Sequence, residues 1–246
     1  MPFLFLSPST QYFNLYINEE SEQYWMNQVA DYMEPYLLSS GINVTRNDPN
    51  GSALLSINQS NMGNYDFHLA LHSNAAPESM SGQLRGIDAY YYPTSKDGLR
   101  MAEIIVDNFK NIYPLPERVQ ALPSTSIGEL RRTRAPACLV EIDYHDNLDD
   151  ATWITQNIPV IAENLSLSVT QYFGLPFLSP ATTYPGLVTN ATGSANLRGG
   201  PEISFPILTQ IPSGSQVTVH NSYNGWYVIS YHNLVGYMDS SFVTLQ

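Results

Sequence analysis

One cysteine, two lysines and no long apolar run are what this 246-residue chain has least of, and each shortage removes a class of behaviour. A lone Cys138 cannot close an internal disulfide, and inside the run Ala137-Cys138-Leu139-Val140 it reads as a buried, inert thiol. Ten basic residues stand against 22 acidic ones, giving a formal net charge of -12, so the clustered cations that neutralise phosphates are lacking and nucleic acid is disfavoured as a partner. No stretch approaches the ~20 apolar residues of a membrane span. Pro2-Phe3-Leu4-Phe5-Leu6 is too short for the core of a secretory leader and has no basic segment before it.

What is abundant is tyrosine. Seventeen Tyr, together with many Asn and Ser, give an aromatic, weakly charged surface chemistry suited to sugars or peptides. Along the chain, Phe3 to Leu6 reads as a buried strand and Ser7 to Gln11 as the turn after it. Apolar residues from Trp25 to Leu37 recur at helical spacing behind a Ser21 N-cap, with Glu22 in the first turn and Gly41 as the stop. Strands are predicted at 42–45, 66–72, 87–92 and 137–143, and helices at 99–113 and 151–173, with Glu129-Leu130-Arg131-Arg132 leading into the last strand. Strands alternating with helices predict an α/β fold, a mostly parallel twisted sheet covered by helices on both faces.

The pattern changes at the proline-rich stretch Gly174 to Ala181. Beyond it, short alternating runs at 216–219, 226–230 and 234–238, with an Asn224-Gly225 turn, predict a small all-β barrel. The chain therefore divides into a first domain over residues 1–175, a connector over 176–183 and a second domain over 184–246.

Two segments concentrate the chemistry. Leu69-Ala70-Leu71-His72 and Ala137-Cys138-Leu139-Val140-Glu141 are apolar runs of strand length, each ending in a reactive side chain, and open sheets place chemistry at strand ends. A divalent zinc ion held by imidazole and carboxylate would activate water there, with a nearby Glu to carry its proton. Glu22, His72 and Glu141 have the right identities, although an isolated His or Glu at an element end is common. His68 is a structural histidine on this reading: four strand residues separate it from His72 by ~13 Å, too far for one ion to take both.

Residues 3–174 resemble the zinc-dependent N-acetylmuramoyl-L-alanine amidases of bacterial autolysins and phage endolysins. The likeness is carried by Glu22 with Val29-Ala30, by Leu69 to Ala75, by Leu130 to Ala137, and by Leu139-Val140-Glu141-Ile142 with Asn147. It implies Zn2+ as cofactor, Glu22 and His72 as ligands, Glu141 as the catalytic carboxylate, and peptidoglycan as substrate, cut between N-acetylmuramic acid and L-alanine. One departure stands out. The family pattern Asp-Pro-Gly-His-Gly, whose His is a ligand, reads Ser7-Pro8-Ser9-Thr10-Gln11 here. A subgroup with this start carries an extra His near the catalytic Glu, which makes His145 the candidate replacement ligand. The missing His also leaves open a catalytically degenerate, wall-binding relative. Asn74 and Arg131 are candidate substrate contacts. Residues 184–246 resemble bacterial SH3-like wall-binding domains, which implies targeting, with Tyr223, Trp226, Tyr231 and Tyr237 as aromatic contact candidates. Trp226 is usually core in such barrels, so Tyr223 and Tyr231 are preferred. The expected location is extracellular or in the cell wall.

Overall fold

The computed structural model describes residues 2–17 and 20–246. In the first domain β1 (Phe3–Pro8), α1 (Glu22–Ser39), β2 (Asn43–Arg46), α2 (Ala53–Met62), β3 (Phe67–Asn74) and β4 (Ile87–Tyr91) follow in order. They are continued by α3 (Lys96–Phe109), β5 (Val119–Pro123), α4 (Gly128–Arg132), β6 (Ala137–Tyr144), α5 (Leu148–Gln156) and α6 (Ile158–Phe173). The sheet order is β2-β1-β3-β6-β4-β5. The first four strands in that order are parallel, whereas β4 lies antiparallel to β6 and carries β5 parallel to itself. The carboxyl ends of β1, β3 and β6 therefore share one sheet edge.

β1 and β3 are buried along nearly their whole length, as strands covered on both faces must be. Helices α1, α3 and α6 pack over one face around Leu4, Leu6, Leu69, Leu71 and Val140, while α2 and α4 cover the other. On that second side Leu130 of α4 joins Ala70, Ala137 and Leu139. Local chemistry starts the helices: Ser21, Ser52 and Ser95 each accept a backbone N–H of the following turn, and Asn147 accepts two. The expected single helix at 151–173 is broken at Asn157, because Pro159 starts a new helix rather than continuing the old one. Helix α2 and strand β5 have no counterpart among the sequence-based expectations.

Beyond residue 183 the strands are β7 (Tyr184–Val188), β8 (Ser194–Arg198), β9 (Ile207–Pro212), β10 (Gln216–Tyr223), β11 (Trp226–Tyr231), β12 (Leu234–Asp239) and β13 (Val243–Leu245). They form one antiparallel sheet in the order β13-β7-β10-β11-β12-β8-β9. Asn224 and Gly225, with φ of 45° and 82°, make the two-residue turn between β10 and β11 that their sequence announces. A small core around Leu197, Ile211, Val219, Ile229 and Met238 fills the inside.

The two sheets are fastened together. Val228, Val235 and Tyr237 of the second domain bury into the core of the first. The Asn43 amide brackets Val235, donating to its carbonyl at 2.9 Å and accepting its N–H at 2.8 Å. Tyr237 donates to the Ser40 carbonyl at 2.8 Å, and its ring lies where a Cβ on Gly41 would stand, 2.3 Å from Cε2. Tyr237 is 0% exposed, which removes it from the wall-contact candidates: an aromatic on a barrel strand is spoken for when another domain covers it. The connector is held as well, with Phe177 stacked on Tyr36 at 5.5 Å and the Leu178 N–H donating to Ser40 Oγ at 3.0 Å. Among the described residues no helix is long and apolar enough to cross a membrane.

Candidate active site at the edge of the central strands

His72 lies near the carboxyl end of β3, and each of its ring nitrogens meets a carboxylate. Nδ1 is 2.8 Å from Glu22 Oε1, and Nε2 is 3.3 Å from Glu129 Oε2. Glu22 is delivered by the first turn of α1, where its backbone N–H donates to the Asn14 carbonyl at 2.8 Å. Its other oxygen accepts from Asn14 Nδ2 at 3.0 Å. Burial works to raise the Glu22 carboxyl, but His72 with Asn14 and Ser9 outweighs it and holds the group below its ordinary range. Burial likewise works to lower His72, and the two carboxylates hold it well above the usual imidazole value.

Glu141 sits on β6 directly beside His72 in the parallel register, with Asp88 of β4 on its other side. Its Oε2 is buried without a hydrogen-bond partner. Burial pushes its pKa up to about 7, further raised by Glu22, Asp88 and Glu129 and opposed by His72. A carboxyl poised there can take and return a proton at neutral pH. Thus Glu22, His72 and Glu141 meet at one sheet edge. A cleft of 460 Å³ reaches His72 and Glu129, walled by Thr10, Gln11, Tyr12 and Phe13 on one side and by Gly51 to Ala53 on the other. Tyr12 and Phe13 stand 70% and 66% exposed at its rim.

The other candidates divide. His145 is buried, but its Nδ1 lies 3.0 Å from both the Ser73 hydroxyl and the Ser73 carbonyl, and its ring stacks on Tyr16 at 5.1 Å. A carbonyl only accepts, so Nδ1 carries the hydrogen and Nε2 the lone pair. Among the described residues no group of three or more His, Cys, Asp or Glu is disposed to hold a metal ion, although His145 lies near enough to Glu22 to feel its charge. Gln11 stands beside the pair, its amide nitrogen 3.3 Å from His72 Nδ1. Asn74 ends β3, its side chain turned to the Ala75 N–H at 2.9 Å. Arg131 is exposed on α4 and does not line the cleft. Tyr223 is 37% exposed, whereas Tyr231 is half-buried against the barrel core. His68 is fully buried between Ser60 and Glu129, as a structural histidine should be. Sequence reasoning missed Glu129. Its segment carries only one acidic residue before Leu130, a pattern no different from any first-turn glutamate.

Behind the site, Asp143 is fully buried with φ of 62°. Burial and the neighbouring Asp150 carboxylate push its carboxyl from 3.8 to about 9. The folded protein keeps this proton while the unfolded chain has lost it, so stability drains away as pH rises from about 4 to 9. Asp143→Asn tolerates the same left-handed backbone and carries no such loss. Its melting temperature is expected to exceed that of the parent at pH 8 and to converge with it toward pH 4, measured by thermal unfolding across that range.

A family model described as N-acetylmuramoyl-L-alanine amidase matches residues 14–171. The chain belongs to that family. A second model, the bacterial SH3 domain, matches residues 193–244 of the amidase-family chain. A stretch of 57 residues is 37% identical to the putative N-acetylmuramoyl-L-alanine amidase YrvJ of Bacillus subtilis (strain 168), spanning 23% of this chain and 11% of that relative. The fold is shared with the catalytic domain of the amidase CwlV from Bacillus (Paenibacillus) polymyxa, at a TM-score of 0.61 and 13% identity, covering 72% of this chain and 100% of that one. It is shared too with amidase AmiC2 of Nostoc punctiforme, at a TM-score of 0.59 and 14% identity over 70% of this chain and 97% of that one. The amidase family sets the class of the site.

Proposed function

We propose that this chain hydrolyses the amide between the lactyl group of N-acetylmuramic acid and L-alanine in peptidoglycan, acting outside the cell or in its wall. The observation that carries the reading is Glu141, a carboxyl near pKa 7 with an unpaired oxygen, side by side with His72 in the sheet. Glu141 takes the proton of the attacking water and returns it to the departing alanine nitrogen. The rim aromatics Tyr12 and Phe13 give the sugar or stem peptide an apolar surface at the cleft mouth.

Zinc dependence belongs to the same proposal. Glu22 Oε1 and His72 Nδ1 are adjacent, buried and of the right chemistry, and they would hold the ion. When bound, zinc supplies Lewis-acid polarisation of the carbonyl and an acidified water. Gln11 and Asn14 stand beside the pair as amides, weak donors for this ion. Two strong donors hold zinc less firmly than three. The chain is therefore expected to take up one zinc when supplied and to lose it on dialysis against a moderate chelator, read by metal analysis.

Digestion of purified walls tests the activity: new L-alanine amino termini should accumulate with no new reducing sugar ends. A second reading, a degenerate wall-binding relative, is favoured by Thr10 and by the two-donor set. Sedimentation with walls in the absence of both zinc uptake and new amino termini would establish it. Targeting by the SH3-like domain, with Tyr223 as its exposed aromatic, rests on the same sedimentation experiment with Tyr223→Ala.

A further inference from the structure

We propose that Glu129 is a positioning residue for His72, accepting the hydrogen on Nε2 so that Nδ1 is presented to Glu22 at the cleft. The proposal rests on the reading of Glu22 and His72 as the reactive pair, and deepens it by assigning the group that orients the imidazole.

Glu129 is 4% exposed and three side chains converge on it. Ser7 Oγ donates to Oε1 at 2.7 Å and His68 Nε2 reaches the same oxygen at 3.1 Å. Oε2 is left for His72 Nε2 at 3.3 Å. A buried carboxylate must be compensated by donors. Ser7 and His68 already provide that on one oxygen, so the contact to His72 is a second use of a group otherwise satisfied. His68 is itself held from behind by Ser60 of α2 at 3.0 Å. Leu130, next in sequence, is buried against Ala70, Ala137 and Leu139 and pins the short helix that carries Glu129. The orienting group is thus fixed by β1, α2, β3 and α4 together.

The two ring nitrogens of an imidazole point in different directions, so one ion cannot bridge His72 to both Glu22 and Glu129. An ionised carboxylate only accepts, so in the metal-free protein both ring nitrogens carry hydrogen, Nδ1 toward Glu22 and Nε2 toward Glu129; when Nδ1 gives up its hydrogen to bind, the hydrogen on Nε2 stays with Glu129. Carboxylates that accept from the far nitrogen of a metal-binding histidine fix its tautomer and orientation, and losing them typically costs roughly 10–100-fold in metal affinity or activity. The spacing of His68 and His72, four residues apart on one strand, has its purpose here. The gap is bridged by a carboxylate rather than by an ion.

The test uses the full chain, metal-free and then supplied with zinc alone. Proton NMR of the metal-free protein should show a downfield, slowly exchanging imidazole N–H that disappears in His72→Ala. Glu129→Gln should move the Nε2–H resonance upfield. Competition with a chromogenic chelator should show zinc affinity weakened about 10–100-fold in Glu129→Gln, with Glu129→Asp recovering part of it. Should Glu129→Gln fail to fold, Ser7→Ala, which removes one anchor of the same carboxylate, should give the upfield shift in milder form. A His72 resonance unmoved by these variants overturns the positioning role whether or not zinc binds. Absence of zinc uptake by the parent chain, with the resonance shifting as expected, overturns the zinc reading and leaves Glu129 in place.

Discussion

Glu141→Gln is expected to slow release of L-alanine amino termini from cell walls by about 100- to 10,000-fold, the usual worth of a positioned general acid–base. Glutamine preserves the size and the half-buried setting on β6 but cannot take a proton. Because the missing function is proton transfer alone, zinc uptake and the melting temperature should stay near those of the parent, and loss of either would mean that Glu141 is structural. The same argument fixes a pH dependence. With a pKa of about 7, Glu141 is protonated below neutrality and is no base there, so the rate at limiting substrate should fall about tenfold per pH unit below 7 and level off above it. A profile flat from pH 5 to 8 would remove Glu141 from the role of base.

Tyr237→Ala is expected to cost about 3–5 kcal/mol, the range seen when a buried aromatic is truncated. The ring is wholly buried between the two sheets and its hydroxyl satisfies the Ser40 carbonyl. Removing it opens a cavity over Gly41 and leaves that carbonyl without its donor. Tyr237→Phe loses the hydrogen bond alone, about 1 kcal/mol. Because Val228, Val235 and Tyr237 belong to the first domain's core, the parent chain should melt in one calorimetric transition and Tyr237→Ala in two. Two transitions in the parent would show the domains to be energetically separate.

Much of the site could be read from residue order because its parts open or interrupt patterned segments. His72 and Glu141 close apolar strand runs and Glu22 opens a capped helix, so each is visible against its own segment before any contact is known. Glu129 lacks such a background: α4 spans five residues, too few to show a period. The same shortage of pattern hid α2, whose Ser- and Asn-rich sequence resembles a loop, and β5, a short edge strand. Tyr237 was misread for a different reason. Alternation along β12 tells which residues leave the barrel plane, but not that a neighbouring domain waits on that side. His145 is placed by its loop rather than by its distance along the chain. It follows Glu141 by four positions and turns Nδ1 toward Ser73, with its ring on Tyr16.

The clasp of Asn43 on Val235 and of Ser40 on Tyr237 and Leu178 has a mechanical side. A barrel on a loose tether searches a sphere, and its partner's local concentration depends on the length of the leash. Here the leash is stapled down. On the proposed reading of the barrel as a wall-binding domain, a polymer strand gripped there would meet the cleft at one distance and one angle, as between the jaws of a caliper, and lengthening residues 176–183 would not widen that span until the clasp itself is broken.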